Sequence, residues 1–194
     1  YTVLGTTGWQ ELTNNLGITQ FYGAAGNSTS GVIVGGTQDK GTLRFNGNTE
    51  TWSTMYGGDG GFSAADPSDP NYFYGEYVYA WVHRSSNGGS TSEYISGIYW
   101  DGSQWTCLSA PYRIDDACNR TANFIAPFIL DPNTPNRLLV GGRALWRSND
   151  PKTANTGTTG PSWASIKAPI SGDYNISAIA VAFGNSDIVW VGHN

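Results

Sequence analysis

The chain has 194 residues, a net charge of −5 at pH 7 and only 13% charged residues. That length suits one domain with a real core. The acidic balance excludes the basic surface that a nucleic-acid binder needs to displace counterions, and it disfavours an anionic membrane surface.

No apolar run approaches the roughly 18 to 20 residues of a membrane span. Glycine is abundant at 26 residues, aromatics make up 13%, and lysine occurs only at Lys40, Lys152 and Lys167. This composition favours many short strands joined by tight turns. The chain opens at Tyr1 with no signal peptide and stops at VWVGHN, directly after an apparent strand. The expectation is a processed mature chain or a piece of a longer one.

In chain order, GNSTSGVIVGGT (Gly26–Thr37) is the first of four related segments. DPSDPNYFYGEY (Asp66–Tyr77), DPNTPNRLLVGG (Asp131–Gly142) and the weaker AFGNSDIVWVGHN (Ala182–Asn194) follow. Each has a turn rich in Asp, Pro or Asn, then a short apolar strand, then glycine. Asp-Pro and Pro-Asn favour turn initiation, and continuous apolar runs suit strands buried on both faces. GFSAADP, FIAPFILDP and ISAIAVAF lead an apolar strand into the later turns. Taken from Gly35 to Gly75, Gly141 and Gly192, the intervals are 40, 66 and 51 residues. A four-stranded propeller blade needs roughly 40 to 50 residues. Three to four blades fit, with the long middle interval holding an excursion.

VGGTQDKGT (Val34–Thr42) and YGGDGG (Tyr56–Gly61) each hold one aspartate in a Gly-Gly loop. In one reading Asp39 and Asp59 are a carboxylate pair for glycoside hydrolysis, which needs a separation of about 5 to 9.5 Å. In the other, each accepts N–H groups of its own loop and shapes equivalent loops of successive blades. Tyr56, beside the second loop, and Glu76, at the end of YFYGE, are binding candidates. Buried Glu is rare unless paired, so Glu76 is expected to meet Arg84 or Arg147.

Tryptophan and tyrosine stack on sugar faces and anchor protein interfaces. Trp52 and Trp163 are expected to pack between blades. Trp81, Trp100 and Trp105 fall in the least regular region. YWDGSQW turns at Asp101-Gly102 between aromatics, which makes an exposed recognition loop. Cys107 and Cys118 would close a loop of roughly ten residues, a gain of about 2 to 3 kcal/mol on the chain-entropy model. The alternative is two free thiols in a cytosolic protein; the rest of the chain looks extracellular, which favours the disulfide. Three sequons, at Asn27, Asn119 and Asn175, add little in a chain so rich in Asn, Ser and Thr. His83, expected to alternate outward, and His193 do not form a metal-binding spacing, and DDACN lacks a calcium ladder. No phosphate loop, nucleophile elbow or cofactor motif occurs, so neither a metal nor a cofactor is expected.

RSSNGG (Arg84–Gly89) and RSND…W (Arg147–Trp163) resemble degenerate Asp boxes, whose usual form is Ser-x-Asp-x-Gly-x-x-x-Trp. With ELTNNLGITQFYGAA, GGTQDKGT and GGDGG, they make the chain similar to the sortilin-like, Asp-box (BNR-repeat) β-propellers, often described as glycosyl-hydrolase-like or exo-sialidase-like. In that family the Asp ties the hairpin turn and the Trp packs between blades. The family's propellers usually have six to ten blades, and this chain has about four. Asn87 stands where Asp is expected, and a long insertion separates Asp150 from Trp163. PYRIDD has only a chance likeness to the sialidase Phe-Arg-Ile-Pro motif.

The expectation is one all-β domain over residues 1–194, made of four-stranded antiparallel propeller blades. Its function is expected to be secreted binding or scaffolding of a protein or glycan. The alternatives are a glycoside hydrolase with an acidic cleft and a structural subunit of an extracellular assembly. Missing blades or self-association would complete the ring.

Overall fold

The computed structural model describes residues 2–5, 8–11, 18–47 and 51–194. Residues 12–17 of the ELTNNLG stretch lie outside the described residues. Strands β1 (Thr2–Gly5) and β2 (Gly8–Glu11) pair as an antiparallel hairpin. Blade 1 follows as β3 (Phe21–Gly26), β4 (Ile33–Thr37), β5 (Gly41–Phe45) and β6 (Ser53–Tyr56). Blade 2 is β7 (Ser63–Ala65), β8 (Phe73–Glu76), β9 (Val82–Ser85) and β10 (Glu93–Tyr94).

A hairpin of β11 (Ile98–Trp100) and β12 (Trp105–Cys107) and the short helix α1 (Asp115–Asn119) form the excursion. Blade 3 is β13 (Phe128–Asp131), β14 (Thr134–Gly141), β15 (Leu145–Ser148) and β16 (Ala164–Lys167). Two last strands, β17 (Ile176–Ala182) and β18 (Asn185–His193), pair in the pattern that opens each blade. The described chain thus holds three complete antiparallel blades and the first half of a fourth.

The first strands of successive blades touch in turn, β3 with β7, β7 with β13 and β13 with β17. This is a radial array with the first strands innermost. Blade 2 lies between blades 1 and 3, so β8 and β9 are buried along their whole length. That is why FYGE and VHRS carry no polar-out alternation. His83 is therefore fully buried rather than turned outward.

The turns between first and second strands repeat one device. Asn27, Asp66 and Asp131 are all buried, and each Oδ1 accepts an N–H two residues on, from Thr29, Ser68 and Asn133 at 2.8 to 3.0 Å. Asx turns of this kind are what the recurring Asp-Pro and Asn-Ser segments encode. Asn27 also donates its side-chain amide to the Asp66 carbonyl at 2.7 Å, tying blade 1 to blade 2, so its sequon is closed within the fold. Lys152, from blade 3, reaches the Asp66 carboxylate at 2.7 Å. Burial alone would raise the Asp66 pKa, but Lys152 and the Ser68 donors outweigh it and hold the carboxyl below its ordinary value.

The turns after β9 and β15 are tied by their own side chains. Ser85 and Asn87 bond each other, and Asn87 Oδ1 accepts the Thr91 N–H. Ser148 donates to Asp150, which also accepts the N–H and hydroxyl of Ser162 across the long insertion, each at 2.9 Å. Trp163 is buried beside Ile95 of the segment that follows β10 and donates its indole N–H to the Ile95 carbonyl at 2.8 Å. Among the described residues Trp52 packs against no second blade. It is 40% exposed and leans on Phe21 and Phe45 of its own sheet.

Candidate functional site

Three segments meet at the rim of the blade 1–blade 2 junction: the β4–β5 loop, the β6–β7 connection and the β8–β9 turn. The first two are the glycine-rich loops. They are not equivalent loops of successive blades, because Asp39 lies in a hairpin and Asp59 in an interblade connection. The Asp59 carboxylate reaches across to the other loop. The Asp39 N–H donates to Asp59 Oδ1 at 3.0 Å, and the Gly60 N–H donates to the Thr37 carbonyl at 2.8 Å. A Cβ at Gly36 would collide with the Gly61 carbonyl, and one at Gly61 with Glu76 Oε2. The glycines are there because two backbones touch.

Glu76 is fully buried and lies outside the pocket described below. No arginine meets it. Its Oε1 accepts the N–H groups of Ala80 at 3.1 Å and Ala126 at 2.7 Å, while Oε2 has no hydrogen-bond partner. Burial pushes its carboxyl well above the usual range, against the opposing pull of these N–H donors. The bond to Ala80 has a local purpose. Tyr79 and Ala80 both take positive φ, 54° and 62°, in a turn closed by the Trp81 N–H on the Val78 carbonyl at 3.0 Å. Non-glycine residues adopt this conformation at a cost of about 1 to 3 kcal/mol each and keep it only where their surroundings enforce it. Glu76 and the Phe124 carbonyl, which accepts the Tyr79 N–H, enforce it here. The turn delivers Trp81 to the rim.

A pocket of about 330 Å³ opens there, lined by Tyr56, Gly57, Gly58, Tyr77, Trp81, Tyr94 and Trp105. Trp81 and Tyr94 are buried and cross edge to face, with centroids 5.5 Å apart. Trp105 is 44% exposed and stands 5.4 Å from Trp81 and 5.5 Å from Tyr94. Beneath Tyr56 the His83 ring is stacked at 4.6 Å, its Nε2 facing the Thr42 hydroxyl at 3.3 Å. Burial lowers the His83 pKa to about 3, so the ring is neutral. Burial, then the adjoining Tyr56 hydroxyl, raises the Tyr94 phenol, which therefore stays protonated. No charged side chain lines the pocket.

The excursion completes the site. Trp100 pairs with Trp105 across the hairpin and is 53% exposed. The loop spans Asp101 to Gln104, with the Asp101 carboxylate accepting the Ser103 and Gln104 N–H groups at 2.8 Å. Cys107 and Cys118 form a disulfide that ties β12 to α1. The Ala117 carbonyl of α1 accepts the Trp81 indole N–H at 3.0 Å. Within DDACN, Asp116 is a structural tie, accepting the Trp146 indole N–H at 2.7 Å and the Ala144 N–H at 3.0 Å. Arg113 of PYRIDD pairs with Asp115.

Of the candidates read from sequence, the fold brings Tyr56, Trp81 and Trp105 into one pocket, sets Trp100 against its outer wall and places Glu76 behind the turn. Asp39 and Asp59 join each other in the neighbouring loops. Tyr77, which follows Glu76 in YFYGEY, also lines the pocket, and Tyr94 escaped the sequence reading. Tyr94 ends a two-residue strand after a polar run, so no pattern marked it.

No family model matches the chain, and no curated protein matches it. Among solved structures it is similar to an ancestral GH74 enzyme, with TM-score 0.57 and 13% identity over 89% of this chain and 22% of that one. It is also similar to the GH74 xyloglucanase from Xanthomonas campestris, with TM-score 0.55 and 21% identity over 91% of this chain and 28% of that one. The fold is that of a β-propeller. The chain spans about a quarter of the length of these two structures. At such identities the likeness fixes the arrangement of blades, and function has to be argued from the site.

Proposed function

We propose that the chain is the ligand-binding part of an extracellular β-propeller and that the aromatic pocket takes a sugar. The observation that carries this is the convergence of five aromatic side chains, from both blades and the disulfide-tied hairpin, on one open cavity. Sugar rings offer C–H faces to such side chains, and the Tyr hydroxyls supply polar contacts at the edges. The disulfide supports the extracellular setting. The Ser148–Asp150–Trp163 arrangement supports assigning the blades to the Asp-box type. Exposed apolar side chains on blade 1 and on β18, among them Phe21, Trp52 and Trp190, suit docking of further blades or of a second copy.

Calorimetric titration with short neutral gluco-oligosaccharides tests the pocket. Binding is expected, and Trp105→Ala is expected to weaken it about tenfold. Absence of binding by the folded chain, or an unaltered affinity in Trp105→Ala, would overturn the assignment.

The meeting of the Asp39 and Asp59 loops supports a second reading, a glycoside hydrolase acting on polysaccharide. Its test is hydrolysis of xyloglucan and related β-glucans by the chain, with Asp39→Asn and Asp59→Asn. A loss of turnover of about a hundredfold or more in either folded variant is expected if these carboxylates act. Turnover unaffected by both changes would remove them from the chemistry.

A further inference from the structure

We infer that Arg120 makes the aromatic pocket selective for a sugar that carries a carboxylate. The inference rests on the pocket being a sugar site. The Arg120 guanidinium carbon lies 5.1 Å from the centre of the Trp81 ring, and Trp81 lines the pocket. Its place is set by the backbone. Arg120 is the left-handed residue that ends α1, at φ 53° and ψ 41°, with its N–H on the Ala117 carbonyl. Ala117 holds the Trp81 indole, and Cys118 is tied to Cys107 in the strand that carries Trp105. The cation and the rings thus belong to one braced unit.

Its lack of engagement is informative. The guanidinium groups of Arg84, Arg113, Arg137 and Arg143 each meet a carboxylate, Arg44 donates to the Gly88 carbonyl, and Arg147, also without a partner among the described residues, has its Nε buried. Among the described residues the Arg120 side chain has no hydrogen-bond or ion-pair partner, and it is exposed. A guanidinium held on an aromatic face keeps its fork of donors for a carboxylate, which it binds through two parallel hydrogen bonds. The pocket lining contributes no acid to repel such a ligand. The net charge of −5 opposes an anion only at long range, and it is screened beyond about 8 Å at physiological salt.

The test compares a β-linked triglucuronate with the same trisaccharide after reduction of its carboxyls to hydroxymethyl groups. Both are titrated calorimetrically into the disulfide-bonded chain. The acidic sugar is expected to bind about tenfold tighter, with the margin shrinking at high salt. Arg120→Gln is expected to erase the margin and leave the neutral sugar unchanged, and Arg120→Lys to restore part of it. Equal affinities for the two sugars, or a margin that survives Arg120→Gln, would overturn the role of Arg120 while leaving the sugar pocket intact. Failure of both sugars to bind would overturn the pocket reading, and this inference with it.

Discussion

Glu76 and His83 sit on adjacent strands of blade 2, both fully buried, and they titrate in opposite senses. Burial lowers the His83 pKa from 6.5 to about 3. The unfolded chain takes up that proton first, so stability is complete above pH 6.5 and falls as pH drops from 6.5 towards 3. The slope is roughly 1.4 kcal/mol per pH unit for one group. Urea midpoints measured across this range are expected to fall, and His83→Gln to flatten the fall. Glu76 runs the other way. Its folded pKa is raised, so its contribution is complete below the unfolded value of 4.5 and is lost as pH rises through the folded value. Glu76→Gln is expected to weaken that loss. Glu76→Ala strands the N–H groups of Ala80 and Ala126 and is expected to cost about 2 to 5 kcal/mol, read as a lower denaturation midpoint. The sequence marked Glu76 as unusual because an acid follows an apolar strand. It did not show that its partners are backbone groups, since Ala126 is 50 residues away.

At the scale of elements, the excursion between blades 2 and 3 is a brace. One disulfide ties β12 to α1, and α1 in turn holds Trp81. Reduction is expected to lower stability by about 2 to 3 kcal/mol. It is also expected to weaken sugar binding, because Trp105 and Trp81 lose their common anchor; titration with and without reductant checks this. The cysteine pair, the hairpin at YWDGSQW and the Asx turns at Asp66 and Asp131 were legible, because each is written in a few neighbouring residues. The β8–β9 turn was not. Val78-Tyr79-Ala80-Trp81 contains no Gly, Asn or Asp to announce positive φ, and tertiary contacts to Glu76 and Phe124 impose it. For Trp52 the repeat located the residue in its sheet without saying which face a neighbour would cover.

At the scale of the molecule, the repeat spacing announced the blades, and its long interval matched the excursion. The sheet faces left open are a different matter. Ile18, Phe21 and Trp52 surround an apolar hollow of about 480 Å³ on blade 1, and Phe183 and Trp190 stand out on the last hairpin at 92% and 60% exposure. The 194-residue chain studied by itself is expected to associate with rising concentration. Sedimentation should show Trp190→Lys reducing that association. The junction between blades 1 and 2 has the opposite character. Gly36, Gly60 and Gly61 bring two main chains into direct contact, and Val34, Met55 and Phe73 pack across the same junction in one buried cluster. Blades 1 and 2 are therefore one cooperative block. Their amides in β4 and β8 are expected to exchange with deuterium together, through a single opening event, while those of the last hairpin exchange sooner and independently.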